Sequence, residues 1–250
     1  ARLLEEGFTL EPTPYAPQGL RMPFGPGAAA LGRSAAFTEG LFEFQDEAAQ
    51  IASALANAAP GARVLDLAAG AGGKALAMAA DMRNDGTLIA SDISDARLLQ
   101  IGPRATRAGV TIIEARAPNA LGGGGTFDCV LVDAPCSGSG TWRRQPEAKW
   151  RLTPQLLSAR RTAQDQLLEK AATHVRPGGR IVYATCSVLR CENDDRITAF
   201  LSAHPDFTLA PIAANWPGSA VLPGDAQTFR ASPHSAQMDG FFTALLVRRG

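Results

Sequence analysis

The chain has 250 residues, a length that predicts one domain with room for a short appendage. Hydrophobic residues make up 46% and charged residues 19%, which excludes wholesale disorder because enough apolar surface can be buried. The 24 basic side chains equal the 24 acidic ones, which excludes a histone-like polybasic binder but leaves room for a local basic face.

The first part of the chain, residues 1–45, is rich in Pro and Gly and has little periodicity. We expect an irregular N-terminal lead-in there and a catalytic domain over residues 46–250. An amphipathic helix is predicted at 45–57, where apolar residues recur at helical spacing and Pro60-Gly61 follows.

From residue 64 onward, strand-like and helix-like segments alternate. Strands are predicted at 64–67, 87–90, 111–113, 127–132, 180–184 and 241–247, with a flexible glycine linker at 122–125. Helices are predicted at 74–82, at 95–108 with a kink or an interruption at Gly102-Pro103, at 153–175 with Thr153 as the N-cap and a stop at 177–179, and at 192–204. The alternation predicts an α/β fold with a doubly wound, mostly parallel sheet that binds ligands at the carboxyl ends of its strands.

The end of the first of these strands carries a glycine-rich turn, in the stretch VLDLAAGAGGK. Small residues let the backbone approach a nucleotide, and the following helix presents its positive N-terminus there. Asp92 lies 22 residues after Gly70 and ends the second strand, which suits an acid that accepts hydrogen bonds from ribose. These features predict an adenosine-bearing cofactor and leave NAD and S-adenosylmethionine equally open.

Two thiols follow strands that we expect to be neighbours. Asp133 and Cys136 lie in DAPCSGSG after the fourth strand, and Cys186 lies in YATCS after the fifth. Two thiols at adjacent strand ends face one cleft, where they suit nucleophilic chemistry. The four cysteines form no C-x-x-C pair and the three histidines are distant in sequence, so we expect no metal site.

The stretches VLDLAAGAGGK, DAPCSGSG and YATCSVLRCEND together resemble the motifs of RNA 5-methylcytosine methyltransferases of the Sun type. The likeness is greatest to the bacterial small-subunit ribosomal RNA methyltransferase B group, and it extends to GLFEFQDEA and SPHSAQMDGFF. One departure is that Ala68 and Ala71 stand where the family usually has Cys and Pro. The resemblance implies a class I S-adenosylmethionine-dependent methyltransferase fold, with S-adenosyl-L-methionine as cofactor.

The resemblance also implies site residues. Cys186 would be the nucleophile that adds to carbon 6 of cytosine, and Cys136 would assist product release. Asp133 would contact both cofactor and cytosine, holding or sharing a proton at the ring's N3 edge. Asp92 would hold the ribose and Glu114, which we place at the end of the third strand, would lie beside the adenine. The methionine part of the cofactor would be wrapped by Ala68, Ala69, Gly70, Ala71, Gly72, Gly73 and Lys74.

A basic segment directly after the Cys136 motif suits RNA. Residues 141–161 contain six basic side chains and one acidic one, a local net charge of +5, with Trp142 and Trp150 interleaved. Basic and aromatic side chains together suit phosphate contacts and base stacking. The alternative is a solvated helix face with two core tryptophans. The candidate RNA-binding residues are Arg143, Arg144, Lys149 and Arg151.

The leading hypothesis is an RNA cytosine carbon-5 methyltransferase that acts on a single-stranded or flipped cytosine, with ribosomal RNA as the expected substrate. Transfer RNA is the alternative substrate. A nicotinamide-dependent oxidoreductase would need a Tyr-x-x-x-Lys or His pattern, which we do not find. A non-catalytic RNA-binding assembly factor with a degenerate methyltransferase fold stays open because of the altered first motif, although Asp133 and both thiols argue against it.

The chain has no apolar run of the ~20 residues that a membrane span needs, and its start, ARLLEEGF, is unlike a secretion signal. We therefore expect a cytoplasmic monomer with no membrane partner. The methyltransferase B group usually has an N-terminal helical RNA-binding domain, which this sequence lacks. We expect a truncated protein or a shorter paralogue.

Overall fold

A computed structural model describes residues 1–22, 27–122 and 124–250 of the chain. Position 123 of the predicted glycine linker, and positions 23–26 of the lead-in, lie outside the described residues. The strands, in chain order, are β1 (Glu11–Pro12), β2 (Leu20–Arg21), β3 (Arg63–Asp66), β4 (Thr87–Ser91), β5 (Ile113–Arg116), β6 (Phe127–Asp133), β7 (Val175–Thr185), β8 (Phe207–Ala210), β9 (Phe229–Ala231) and β10 (Phe241–Arg248).

The helices vary in length from a single turn to 21 residues. In chain order they are α1 (Arg2–Glu5), α2 (Ala28–Leu31), α3 (Ala35–Thr38), α4 (Glu47–Ala54), α5 (Gly73–Asp81), α6 (Asp95–Leu98), α7 (Ile101–Arg107), α8 (Ala148–Arg151), α9 (Pro154–His174), α10 (Asp194–Ala203) and α11 (Pro233–Ala236). Thr153 caps α9 as predicted, since its side chain accepts a hydrogen bond from the backbone N–H of Leu156.

The large sheet has the strand order β5-β4-β3-β6-β7-β10-β8, and β9 pairs with β10. The five strands from β5 to β7 are parallel neighbours, whereas β10 runs antiparallel to β7, β8 and β9. This confirms the predicted class I methyltransferase fold with its mostly parallel, doubly wound sheet. The strand order reverses at β3, which lies between β4 and β6, and such a switch point is where open α/β sheets bind ligands.

Helices cover both faces of the sheet, so its central strands are buried on both sides. Consecutive residues of β3 show this, because Val64 packs in one core cluster and Leu65 in the other. The first cluster includes Ile51 of α4 and Met78 of α5, and the second includes Leu168 of α9. A strand buried on both faces needs a continuous apolar run, which is why the sequence there lacks strict alternation.

The helix predicted at 95–108 with a kink or an interruption is interrupted, because it forms two helices, α6 and α7, separated by residues 99–100. Pro103 lies in the first turn of α7, where an amide N–H has no helical partner. Two other predicted boundaries are wrong. The third strand is Ile113–Arg116 instead of 111–113, and α10 begins at Asp194 after a 3-10 turn.

The end of the long helix differs as well. Helix α9 stops at His174, and Pro177, Gly178 and Gly179, predicted as its stop, belong to the start of β7. The pairing of β7 with β6 shifts register across this stretch. An irregular stretch of a strand tolerates Pro and Gly because it leaves ladder hydrogen bonds unmade.

The N-terminal segment carries short helices and the small β1–β2 hairpin. The buried carboxylate of Glu47 fastens it to α4, accepting hydrogen bonds from the backbone N–H groups of Tyr15 (2.8 Å) and Ala16 (3.1 Å) and from Arg21 (2.9 Å). The division at residue 45 stays a prediction. In the described ranges, no helix combines the length and the apolar character that crossing a membrane requires.

Candidate active site

The glycine-rich loop joins β3 to α5 at the switch point of the sheet. Gly70 (φ +56°) and Gly72 (φ +83°) adopt left-handed backbone conformations, which glycine reaches without steric cost. A Cβ on Gly72 would lie 3.0 Å from the side chain of Ile101, so that side of the loop is closed by packing. A Cβ on Gly70 would meet nothing within 4 Å, so the backbone there faces open space.

Asp92 links this loop to the end of β4. Its buried carboxylate accepts hydrogen bonds from the backbone N–H groups of Gly70 (2.9 Å) and Ser94 (2.8 Å). Each carboxylate oxygen has a second lone pair, so a ribose hydroxyl can still bind. The next residue, Ile93, is 92% exposed, and the sequence analysis did not single it out as a surface residue beside the site. The sequence feature that could have indicated it is an apolar residue directly after an acid at a strand end.

Asp66 is the second buried acid of this region. Both of its carboxylate oxygens are buried and, among the described residues, neither has a hydrogen-bond partner. Burial raises the pKa of Asp66 to about 7, Asp133 adds to the increase, and the Lys74 ammonium opposes it. An open glycine loop flanked by two buried acids fits S-adenosylmethionine, which carries ribose hydroxyl donors and an ammonium group.

The predicted position of Glu114 at a strand end is wrong. Glu114 is the second of four residues in β5, and the carboxyl end of that strand is Arg116. Its half-exposed carboxylate accepts two hydrogen bonds from the Arg116 guanidinium, which lower its pKa. A contact between Glu114 and adenine stays a prediction.

The two predicted thiols meet above the sheet, although 50 residues separate them in sequence. The Sγ atoms of Cys136 and Cys186 lie 3.3 Å apart, within hydrogen-bonding distance for sulfur. That hydrogen bond and burial raise the pKa of Cys136 well above its ordinary value. The same hydrogen bond lowers the pKa of Cys186, with help from the Lys74 ammonium and against burial. Of the two thiols, Cys186 is therefore the one that ionises first, while Cys136 keeps its proton.

An ion pair lies beside the thiols. The Nζ of Lys74 donates a hydrogen bond to Asp133 at 2.6 Å and lies 5.7 Å from the centre of the Phe241 ring. Burial alone would lower the pKa of Lys74, but Asp133 outweighs it and the net pKa is raised. The predicted methionine-side Lys74 and the predicted cytosine-side Asp133 are thus one unit that reaches both halves of the site.

The two predicted RNA-binding arginines are paired with a buried acid. Arg143 (3.1 Å) and Arg144 (2.6 Å) donate to the carboxylate of Asp239, which is almost fully buried, while both guanidiniums stay about half exposed. Asp239 belongs to the SPHSAQMDGFF stretch, in which the sequence analysis named no site residue. The pairing orients both arginines. Asp46 lies near the same acid, and its pKa is raised by burial and by the negative charge of Asp239.

The rest of the basic segment is more open. Trp150 is 79% exposed, with the Nζ of Lys149 4.6 Å from its ring centre, and Arg151 pairs with Glu147 at 3.5 Å. Trp142 differs, because it is half-buried and its indole nitrogen is fully enclosed. Of the two tryptophans considered for base stacking, Trp150 has the accessible ring.

Comparison with known proteins identifies the family to which this site belongs. The family model described as 16S rRNA methyltransferase RsmB/F matches residues 53–247 of the chain. The chain belongs to the RsmB/F methyltransferase family. Ribosomal RNA small subunit methyltransferase B of Xanthomonas campestris pv. campestris is 37% identical over 255 residues, covering 99% of this chain and 56% of the relative.

Solved structures show the same fold as this chain. The crystal structure of PH0851 is 35% identical with a TM-score of 0.85, covering 98% of this chain and 55% of that one. The structure of NSun6 from Pyrococcus horikoshii with SFG is 24% identical with a TM-score of 0.76, covering 92% of this chain and 58% of that one, and shows the same fold.

RsmB/F membership confirms the Sun-type resemblance and the predicted cofactor, S-adenosyl-L-methionine. The stretches VLDLAAGAGGK, DAPCSGSG, YATCSVLRCEND and SPHSAQMDGFF lie within the matched residues, and GLFEFQDEA precedes them. The chain spans about half the length of the curated relatives that it matches.

Proposed function

We propose that this protein is an S-adenosylmethionine-dependent RNA cytosine carbon-5 methyltransferase that acts through a covalent bond between Cys186 and carbon 6. The carrying observation is the 3.3 Å sulfur–sulfur contact, in which the two thiols have opposite pKa shifts. Carbon 5 of cytosine is a poor nucleophile, so an enzyme must first activate the ring. A stabilised thiolate is the group that does so.

The first step uses Cys186 as the nucleophile. Its sulfur forms a bond to carbon 6, and the electron pair of the carbon 5–carbon 6 double bond shifts toward N3 and the ring carbonyl. Lys74 and Asp133 support this step, since the Lys74 ammonium is a donor and its 2.6 Å pair with Asp133 fixes it in place. This assignment moves the donor proton from Asp133, where the sequence suggested it, to Lys74.

When bound, S-adenosylmethionine supplies the electrophilic methyl group that carbon 5 accepts. The residues around it are those of the glycine loop and Asp92, whose carboxylate holds the loop to the end of β4. The open face at Gly70 is where backbone would approach the cofactor.

Cys136 then completes the cycle. Once the Cys186 sulfur is bonded to carbon 6, it carries no charge and is a weak acceptor for the Cys136 thiol. The largest of the causes that hold the pKa of Cys136 high is thereby removed, which lowers that pKa and lets the proton leave to water. The Cys136 thiolate takes the proton from carbon 5, and the electron pair of that C–H bond re-forms the carbon 5–carbon 6 double bond as the carbon 6–sulfur bond breaks. The N3 proton returns to Lys74, the Cys186 sulfur leaves as a thiolate, and Cys136 is again a thiol.

RNA would approach over the basic segment. Arg143 and Arg144, oriented by Asp239, and the exposed Lys149, Trp150 and Arg151 suit contacts to phosphates and an unstacked base. Because both faces of the ring must be reached, we propose a single-stranded or flipped cytosine. Family membership favours ribosomal RNA of the small subunit as the substrate, and the cytoplasm as the place of action.

The experiment measures which atom is methylated. Purified protein is incubated with S-adenosylmethionine and 16S rRNA, or with transfer RNA, carrying tritium at cytosine carbon 5. Methylation at carbon 5 displaces that hydrogen, so tritium is released to water in step with methyl incorporation. Cys186→Ala is expected to abolish release, and the matched control Cys191→Ala, a thiol outside the sulfur pair, is expected to retain it.

Methyl incorporation into RNA without tritium release would contradict the proposal, because the methyl group would then be on nitrogen, oxygen or another carbon. Release from transfer RNA alone would keep the chemistry and overturn the ribosomal substrate. No incorporation into either RNA, combined with tight binding of RNA, would support an assembly factor instead.

A further inference from the structure

A buried glutamate connects the two loops that carry the thiols. Glu192, in the 3-10 turn before α10, has no accessible surface. Its Oε1 accepts hydrogen bonds from the backbone N–H of Ser137 (2.8 Å) and the side chain of Gln164 (3.0 Å). Its Oε2 accepts hydrogen bonds from the hydroxyls of Ser137 (2.5 Å) and Ser187 (2.6 Å).

These contacts have a specific arrangement relative to the sulfurs. Ser137 directly follows Cys136, and Ser187 directly follows Cys186. One carboxylate therefore fixes the residue after each thiol, across strands β6 and β7. The backbone around Glu192 is itself tied down, since the Tyr183 hydroxyl donates to the Glu192 carbonyl oxygen at 2.6 Å.

A carboxylate is costly to bury, and the four hydrogen bonds to Glu192 all come from neutral donors. A neutral amide could not accept all four, because its NH₂ group only donates. The negative charge of the Glu192 carboxylate is therefore stabilised by four donors that point at its two oxygens. The network extends further, because the Ser139 hydroxyl lies 3.0 Å from that of Ser187 and the Ser139 backbone N–H donates to Ser137 Oγ at 3.3 Å.

We propose that Glu192 is a positioning residue that keeps the Cys136 and Cys186 sulfurs at hydrogen-bonding distance by fixing the residue that follows each thiol. Its effect on turnover rests on the proposed function. Its effect on the thiols does not, because the sulfur contact exists without RNA. Loss of Glu192 separates the loops, so Cys136 no longer donates to Cys186 and the Cys186 thiolate is less stable.

The experiment measures thiol reactivity in the RNA-free full chain. The pH dependence of iodoacetamide alkylation is followed by mass spectrometry of tryptic peptides. Cys186 is the only cysteine in the peptide of residues 181–190, so its modification is read separately from that of the other three. Glu192→Gln is expected to raise the midpoint pH of Cys186 alkylation by about one unit. In the methylation assay, kcat should fall about tenfold, while KM for RNA should change less than about twofold.

Two further variants keep the test decisive. Glu47→Gln is the matched control, since Glu47 is also a buried carboxylate with several donors but lies between the lead-in and α4. It should lower the melting temperature and leave the Cys186 profile unchanged. Ser137→Ala removes only the Ser137 hydroxyl from the network, so it reports even if Glu192→Gln fails to fold, and its profile should shift in the same direction.

The inference is overturned if the Cys186 profile is unchanged in folded Glu192→Gln, or in Ser137→Ala when Glu192→Gln does not fold. It is also overturned if Glu47→Gln shifts the profile equally, because general loosening would then explain the result. A wild-type protein that does not methylate cytosine would refute the proposed function, and the alkylation profiles would still decide the role of Glu192.

Discussion

At the scale of single residues, the site depends on neighbouring groups and burial, which give cysteine thiols different pKa values. Cys136 and Cys186 are both thiols at strand ends, yet one hydrogen bond raises the pKa of the first and lowers that of the second. Cys129 shows the contrast, because burial within β6 raises its pKa to about 12 and leaves it inert. The sequence allowed the two reactive thiols to be chosen, but their ionisation depends on a contact between segments 50 residues apart.

Asp92 should contribute to cofactor binding through the ribose. Asp92→Asn is expected to weaken S-adenosylhomocysteine binding more than about tenfold, because a charge-assisted hydrogen bond contributes roughly 1.5–3 kcal/mol. The measurement is isothermal titration calorimetry, with the exposed Asp95→Asn as the control. Asp92 also holds Gly70, so a second ligand separates the two roles.

That second ligand is 2′,3′-dideoxy-S-adenosylhomocysteine. If Asp92 contacts the ribose, the wild type should discriminate against this analogue and Asp92→Asn should not. Equal discrimination by both proteins would show that Asp92 acts only by holding the loop.

Asp66 should make stability depend on pH. Its folded-state pKa of about 7 lies above the unfolded value of about 4, so the folded protein binds the extra proton between these values. Stability is therefore expected to fall as pH rises from about 4 to about 7, by at most about 4 kcal/mol, and to change no further through this group above that range.

Urea unfolding of the cofactor-free protein at pH 5, 6, 7 and 8 measures this dependence. Asp66→Asn removes the titrating group, so the loss of stability between pH 5 and pH 8 should be smaller than in the wild type. The same loss in both proteins would mean that Asp66 is not protonated in the folded state at pH 5.

At the scale of elements, the sequence predicted which segments form strands and helices better than where they end. The helix α9 was predicted to run to residue 175 and ends at His174, but Pro177-Gly178-Gly179, predicted as its stop, joins β7 because the irregular pairing with β6 accommodates it. The strand β5 is two or three residues later than predicted. In both cases pairing with a neighbouring strand set the boundary, and local composition carries no trace of that neighbour.

The basic segment has two parts, the arginines that pair with Asp239 and the more open stretch from Lys149 to Arg151. The double variant Lys149→Ala with Arg151→Ala should lower RNA affinity. The slope of log K against log salt concentration should become shallower by about one to two, because fewer counterions are released on binding when two phosphate contacts are lost. Arg176→Ala is the control, since Arg176 lies at the opposite end of β7 from Cys186. Trp150→Ala should also weaken binding, by about 1–3 kcal/mol per stacked base, with the salt slope unchanged.

The measurement is fluorescence anisotropy with a labelled single-stranded RNA at several salt concentrations. An unchanged slope in the Lys149 and Arg151 variant would show that these side chains are only a solvated face. A changed slope in Trp150→Ala would show that its ring supports the cations instead of stacking on a base.

At the scale of the whole molecule, the parallel sheet is what assembles the site. The glycine loop follows β3, Asp92 follows β4, Asp133 ends β6 and Cys186 follows β7, so four carboxyl strand ends contribute to one edge. The topology made this convergence predictable from alternating segments alone. The buried partners Glu192 and Asp239 were not predictable, because nothing local distinguishes an acid that orients a loop from an acid that faces water.

In the proposed mechanism, Cys186 attacks carbon 6 of cytosine and Cys136 assists release of the product. Each variant is incubated with S-adenosylmethionine and substrate RNA, then run on a denaturing gel that preserves covalent protein–RNA species. Cys136→Ala should accumulate such a species, because attack by Cys186 remains possible while elimination stalls, although attack should need higher pH without the Cys136 hydrogen bond. Cys186→Ala should give no covalent species and no turnover. An adduct with Cys186→Ala and none with Cys136→Ala would contradict the account, because Cys136 would then be the nucleophile.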